Sequence, residues 1–167
     1  MNTHPPLQAR LWTGAARGIA ALEALQPAAQ LLARLYLAQV FFLAGITKLA
    51  DWDTTLALFS EEYHVPLLDP TFAAWLGTAA ELALPVFLVL GLGGRIAAFG
   101  LFVLNAVAVL SLSDIAPAAL QQHQFWGSLL AALVLWGPGR WSLDRVVAPW
   151  LRAGQPADGR YTGAAST

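Results

Sequence analysis

Four long apolar runs dominate the chain, and each is close to the roughly 20 residues that a helix needs to cross the hydrocarbon core of a bilayer. Glycines at 91, 93 and 94 separate the second run from the third, and Pro117 precedes the fourth. The pattern predicts an all-α polytopic membrane protein built as a bundle of four transmembrane helices. The predicted spans are residues 29–49, 71–92, 95–113 and 120–137.

Composition and charge favour the same class and exclude several others. Hydrophobic residues make up 57% of the 167 and charged residues only 11%, whereas an average soluble domain has about 25% charged residues. A net charge of −1 is unlike the basic clusters of nucleic-acid-binding proteins, so no nucleic-acid partner is expected. The absence of cysteine excludes disulfides, thiolate nucleophiles and Cys-ligated metals. The lipid bilayer is the expected environment of the chain.

The basic residues predict the orientation of the four spans. With four spans, both termini and the turn at 91–95 lie on the same side of the membrane, and of the nine Lys and Arg only Lys48 falls on the other side. Because cytoplasmic loops are enriched in basic residues, both termini are predicted to be cytoplasmic, in a bacterial inner (plasma) membrane. Arg34, near the cytoplasmic end of the first span, is expected to extend its long side chain to the headgroups.

The segments outside the spans have distinct compositions. Residues 1–28 form a cytoplasmic segment in which apolar residues recur at helical spacing, which predicts an interfacial helix. Residues 29–146 form the membrane domain, and residues 147–167 are predicted to be a disordered cytoplasmic tail. The outer loop 51–70 is rich in acidic residues and is the expected surface for protein partners.

Glu81 is the charge predicted to lie deepest in the membrane. It follows Thr71 by ten residues, about 15 Å along a helix, and a charge in hydrocarbon costs about 2.5–3.5 kcal/mol. It is either a proton-transferring or ligand-binding acid, or a protonated or paired acid that only fastens helices together. Lys48 is the candidate partner, and its alternative is to extend outward to the interface. The small Ala44 and Gly45 on the same face would let another helix approach closely. Lys48 and Glu81 are the predicted catalytic candidates.

Three further polar residues are candidates for cofactor binding. Asn105 lies near the middle of the third span, where an amide needs a hydrogen bond to another helix. His64 in the outer loop and His123 at the outer start of the fourth span lie on one side of the membrane. A satisfied or solvent-facing role is favoured for each histidine, and no metal site is predicted.

Three segments resemble the DoxX family of small four-helix bacterial membrane proteins: FFLAGITKL, ELALPVFLVLGLGGR and LWGPGRWSLDR, at the ends of the first, second and fourth spans. The resemblance covers roughly residues 31–146. Its motif positions here are Gly45, Lys48, Glu81, Gly91, Arg95, Gly137, Gly139, Ser142, Leu143 and Asp144. The stretches WDTTLALF and YHVPLLDP further resemble members that accompany the biosynthesis of copper-binding modified peptides.

The segment LWGPGRWSLDR also has a structural interpretation that does not depend on the resemblance. Trp136 would end the fourth helix, and Gly137, Pro138 and Gly139 would turn the chain out of the membrane. Ser142 would then cap a further helix that begins at Leu143, with Asp144 in its first turn.

The resemblance implies an accessory redox or quinone-linked component of a larger membrane or metal-peptide system. Two alternatives remain, a noncatalytic scaffold that binds partners and a small oligomeric transporter. Whether the protein is an enzyme stays open, and if it is, an oxidoreductase subunit is implied. The cofactor is also open, with quinone, haem and copper as the candidates, and a homo-oligomer is compatible with the sequence.

Overall fold

The structure, a computed structural model, describes residues 7–153 and, within them, the side chains of residues 12–147, 149 and 150. This part of the chain is helical and contains no β-strand, apart from one isolated antiparallel bridge between Tyr63 and Leu112. The all-α prediction is confirmed for the described residues. The six helices are α1 (Leu7–Ala50), α2 (Trp52–Glu61), α3 (Pro70–Leu90), α4 (Gly94–Ser111), α5 (Pro117–Trp136) and α6 (Leu143–Ala153).

Four long helices close into a bundle. Contacts run from α1 to α3, from α3 to α4, from α4 to α5 and from α5 back to α1, and α2 lies across α1 and α3. Many large apolar side chains face outward, as lipid-facing positions require. The buried centre of the bundle is formed by Leu37, Phe41, Leu88, Ala97, Ala98, Leu101, Leu130 and Leu133.

Three of these helices, α1, α3 and α4, are long and apolar enough to cross a membrane. The fourth, α5, packs along α4 and has 20 residues, but its first turns carry the polar run Gln121, Gln122, His123 and Gln124. Three spans therefore follow from length and composition. A crossing by α5 is part of the topology proposed below.

The first helix is much longer than the predicted span 29–49. It runs without interruption for 44 residues, about 66 Å at 1.5 Å per residue. The segment predicted as a separate interfacial helix within 1–28 is continuous with the span from Leu7 onward. Every described side chain from Trp12 to Gln26 is exposed, so the bundle leaves this part of α1 uncovered.

Two further segments differ from their predicted state. The outer loop 51–70 contains α2, whose first turn is capped by the Asp51 carboxylate, which accepts hydrogen bonds from the backbone N–H and the hydroxyl of Thr54 at 3.0 and 2.8 Å. Helix α6 extends to Ala153 and therefore includes the first residues of the tail that was predicted to be disordered from residue 147. The rest of that tail lies outside the described residues. We call the end of the bundle beside α2 the α2 end, and the opposite end the α6 end.

Arg34 closes the α6 end, and it does so from a buried position. Its side chain is only 1% exposed, which corrects the expectation that it extends to the headgroups. Its Nε donates to the Leu88 carbonyl at 2.8 Å and a terminal nitrogen donates to that of Val89. Nη1 donates to the carbonyls of Pro138 and Trp141, both at 2.8 Å. The last carbonyls of a helix have no partner within the helix, and Arg34 supplies donors to two of them in α3.

Asp144 joins α6 to the start of α4. Its carboxylate accepts hydrogen bonds from the backbone N–H groups of Gly93 and Gly94 at 2.7 and 3.0 Å, and its own N–H donates to the Gly91 carbonyl at 3.0 Å. Asp144 thus caps α4 rather than serving only the first turn of α6. The predicted capping role of Ser142 is not seen, because its hydroxyl donates to the Gly139 carbonyl at 2.9 Å.

Candidate functional site

Lys48 and Glu81 form an ion pair between α1 and α3. The Lys48 Nζ lies 2.6 Å from Oε1 and 2.5 Å from Oε2 of Glu81. The Lys48 side chain is 24% exposed and that of Glu81 is 12% exposed, so most of the surface of both side chains is buried. The sequence left open whether Lys48 pairs with Glu81 or extends outward to the interface, and the structure has the pair. It is the one salt bridge found among the side chains that the structure describes.

Gly45 allows the two helices to approach closely enough for this pair. A Cβ at position 45 would lie 2.9 Å from the side chain of Leu82 and 3.1 Å from the Cβ of Glu81. Any larger residue would therefore require the Leu82 side chain to move and would crowd α3 at the turn that carries the carboxylate. The close approach predicted from the small residues beside Lys48 is confirmed at Gly45.

Asn105 and His123 form a second polar pair, between α4 and α5. The Asn105 Nδ2 donates to the backbone carbonyl of His123 at 3.0 Å, and its Oδ1 lies 2.8 Å from Nδ1 of the same residue. The hydrogen bond to another helix predicted for Asn105 is present. Gly127, one turn after His123, makes room for the amide, since a Cβ there would lie 3.3 Å from Nδ2.

A cavity of about 310 Å³ brings the two pairs together near the α2 end. This volume lies at the lower end of the roughly 300–1,000 Å³ typical of small-molecule sites. Apolar side chains make up most of its wall, and polar groups are concentrated in a few places, which is the usual composition of such sites. The cavity is lined by Val40, Phe41, Ala44, Lys48, Phe59, Tyr63, Val65, Gly77, Glu81, Leu104, Asn105, Val107, Ala108, Ser111, His123 and Trp126.

Two residues that the sequence did not single out contribute polar groups to this cavity. The Ser111 hydroxyl is buried and has no hydrogen-bond partner within the described residues. Tyr63 follows α2, and burial raises the pKa of its phenol above the ordinary value, as do the carboxylates of Glu81 and Glu62. The phenol therefore stays protonated at neutral pH and can donate a hydrogen bond. Neither contribution could be read from the sequence, because the Tyr63–Leu112 bridge that brings the two segments together is tertiary.

His64 does not belong to this site. Its ring is exposed and its Nδ1 lies 3.4 Å from the Ser113 hydroxyl, while only its backbone N–H reaches toward the cavity by donating to the Ser111 carbonyl at 2.8 Å. The adjacent Tyr63 takes the position in the cavity wall. Among the side chains of residues 12–147, 149 and 150, no group of three or more His, Cys, Asp or Glu could hold a metal ion.

The fold and the site define an all-α integral membrane protein with a mostly apolar, ligand-sized cavity between its helices that carries a few polar groups. The DoxX family model matches residues 29–114, about half of the chain, which therefore belongs to the DoxX family. The chain is also 33% identical over 139 residues to an uncharacterized membrane protein of Mycobacterium tuberculosis, a match that covers 74% of this chain and 84% of the relative. No solved structure matches the chain.

Proposed function

We propose that this DoxX-family protein is an accessory, quinone-linked component of a membrane redox system, and that the cavity binds the headgroup of a membrane-soluble quinone. The observation that carries the proposal is the joining of the Lys48–Glu81 and Asn105–His123 pairs in one apolar cavity. Lys48 and Glu81 are the proposed catalytic candidates. Asn105 and His123 are proposed to bind the ligand.

The chemistry of a quinone headgroup fits the distribution of groups in this cavity. A quinone is a flat apolar ring with polar oxygens at its edge, so it needs apolar walls and a small number of hydrogen-bonding groups. Phe41, Phe59 and Trp126 supply aromatic wall. Lys48 donates to Glu81 but has three N–H groups in all, so a donor remains for a ligand oxygen. A ligand between the helices could also enter directly from the lipid.

Filling the cavity is expected to abolish quinone binding while leaving the polar pairs in place. Ala108 lines the cavity on α4, and Ala108→Phe would occupy space that the ligand needs. We expect saturable binding of a short-chain ubiquinone analogue by the purified protein, and affinity lower by at least about 10-fold in the variant, equivalent to 1.4 kcal/mol. Equilibrium dialysis of detergent-solubilised protein would measure both affinities.

Val103→Phe is the matched control for this experiment. Val103 lies on the same helix with its side chain 43% exposed, so the same added ring would face lipid and affinity should stay within about 2-fold, well under the 1.4 kcal/mol of a tenfold change. Native protein that fails to bind the analogue, or Ala108→Phe that binds it with native affinity, would contradict the proposal. The scaffold alternative, with the outer loop 51–70 as its partner surface, would then be favoured.

We further propose that α5 is the fourth span and that both termini are cytoplasmic, in a bacterial inner membrane. Support comes from the α6 end, where Arg95, Arg140 and Arg145 line an open groove of about 970 Å³, as the enrichment of cytoplasmic ends in basic residues requires. The α2 end instead carries Asp51, Asp53, Glu61, Glu62 and Asp69.

Single-cysteine labelling tests this topology without background, because the chain has no cysteine. A membrane-impermeant maleimide applied to intact cells is expected to label Ser60→Cys, at the α2 end, and to label Ala16→Cys only after the membrane is opened. Both side chains are exposed and both positions lie outside the predicted spans, so access should depend on the side of the membrane. Equal labelling of the two variants in intact cells would refute the proposed orientation.

The larger system is proposed to be one that makes copper-binding modified peptides, on the strength of the resemblance in WDTTLALF and YHVPLLDP alone. The first of these stretches forms most of α2, which packs on α1 and α3 beside the cavity. In this proposal α2 and the following loop would contact the partner proteins. Electrons would then pass between those partners and the quinone pool.

A further inference from the structure

The orientation of the Asn105 amide is fixed by the chemistry of its two contacts. One amide atom lies 3.0 Å from the backbone carbonyl oxygen of His123 and the other lies 2.8 Å from the ring Nδ1. Only the NH₂ group can face the carbonyl, because two acceptor oxygens at that distance would repel each other. The amide oxygen must therefore face Nδ1.

This orientation determines the tautomer of His123. An amide oxygen only accepts hydrogen bonds, so Nδ1 must carry the proton and donate it to Asn105. In the neutral imidazole the other nitrogen, Nε2, then has a free lone pair. Within the described residues Nε2 makes no hydrogen bond, and the ring lies in the cavity wall against Trp126, with ring centroids 5.0 Å apart. The cavity thus presents a hydrogen-bond acceptor that lacks a donor.

The other polar groups of the cavity do not hydrogen-bond to Nε2. The Lys48 ammonium is held by both oxygens of Glu81 and keeps one N–H, and the Tyr63 phenol lies in the cavity wall without donating to the histidine. Ser111, whose side chain is 2% exposed, leaves its hydroxyl without a partner, and a hydroxyl can rotate to donate or to accept. A ligand that completes this site must therefore donate to Nε2. It can also exchange a hydrogen bond with Ser111 in either direction.

We propose that the cavity prefers the reduced, hydroxyl-bearing form of its ligand, a quinol, over the oxidised quinone, and that Asn105 is the positioning residue that sets this preference through His123. The inference rests on the proposed quinone-linked function and deepens it. A quinol hydroxyl donates to the Nε2 lone pair, whereas a quinone offers only carbonyl oxygens, which would face the lone pair without a hydrogen between them. The site then distinguishes the two redox states of the ligand while His123 stays neutral.

The affinities of a short-chain ubiquinol and the matching ubiquinone for the purified full-length protein test the preference directly, with the quinol kept reduced under anaerobic conditions. We expect the quinol to bind about 10-fold more tightly, the effect of one neutral hydrogen bond. Asn105→Leu should reduce the preference to under about 3-fold by releasing the tautomer. Ser111→Ala, the matched control, should weaken both forms equally.

A spectroscopic measurement on the native protein keeps the test independent of how the variants fold. Nitrogen-15 NMR of protein labelled in histidine, with the His123 signal assigned from His123→Gln, reports which ring nitrogen carries the proton. We expect Nδ1–H. An Nε2–H tautomer, or equal affinity for the two redox forms in the native protein, would overturn the inference and leave the quinone-linked function standing. Failure of both forms to bind would instead overturn the proposed function.

Discussion

Replacing Arg34 with leucine is expected to lower the free energy of unfolding by about 3–5 kcal/mol. The carbonyl oxygens of Leu88, Val89, Pro138 and Trp141 each lose a hydrogen bond from Arg34, and that of Leu88 keeps the N–H of Gly91 as a donor at 3.2 Å. A hydrogen bond to a charged group contributes about 1.5–3 kcal/mol. Water that reaches the α6 end would compensate part of the loss. The rest of the loss reflects a weaker attachment of α1 to the end of α3 and to the segment before α6. Denaturant titration of purified protein in a mild detergent, followed by circular dichroism, would measure the change.

Arg95→Leu is the matched control for Arg34→Leu. Arg95 also lies at the α6 end and also donates to a backbone carbonyl, that of Leu135 at 3.3 Å, but its side chain is exposed. The same loss of charge and donors should therefore cost less than about 1 kcal/mol, as is usual for exposed interactions. Equal stability of the two variants would show that the Arg34 contacts contribute little to folding.

Breaking the Lys48–Glu81 pair from one side is expected to cost more than removing both charges together. Glu81→Leu leaves the Lys48 ammonium unpaired between helices, and removing one partner of a fully buried pair costs about 3–5 kcal/mol. Because a quarter of the Lys48 side chain remains exposed, we expect about 2–3 kcal/mol here. The double variant Lys48→Met/Glu81→Leu should regain most of this loss, because apolar residues of similar volume often replace an ion pair at little cost.

A double-mutant cycle that adds the single variant Lys48→Met, again measured by denaturant titration, separates the interaction from the effects of each substitution. Gln39→Leu serves as the control on α1, because its side chain is exposed and lies on the face of the helix away from Lys48. It should leave stability within about 0.5 kcal/mol of the native value. If the cost of the double variant equalled the sum of the costs of Glu81→Leu and Lys48→Met alone, the ion pair would have no net coupling. The carboxylate would then stabilise the fold through other contacts.

The sequence by itself determined the class of fold, because the requirement for long apolar helices in lipid is one-dimensional. The runs that end at Ala50, Leu90 and Ser111 could be read as spans from length and charge alone, and the structure has helices there. Glu81 stood out for the same reason, since a charge in hydrocarbon needs a partner. Capping was less readable, because the local pattern made Ser142 the cap of α6 and placed Asp144 only in its first turn. The folded chain shows that Asp144 instead caps α4.

Only the tertiary structure decided what the polar residues do, because burial and partners depend on positions far apart in the chain. Arg34 and Lys48 looked alike as basic residues near the two ends of one span. Arg34 is buried and donates to carbonyls 54–107 residues further along the chain. Lys48 pairs with Glu81, 33 residues further along. His64 and His123 were equal candidates on the outer side, and the packing of α5 on α4 places only His123 in the cavity. A pattern of hydrophobic positions fixes which faces of the helices meet, but not which polar atoms lie within 3 Å of one another once they do.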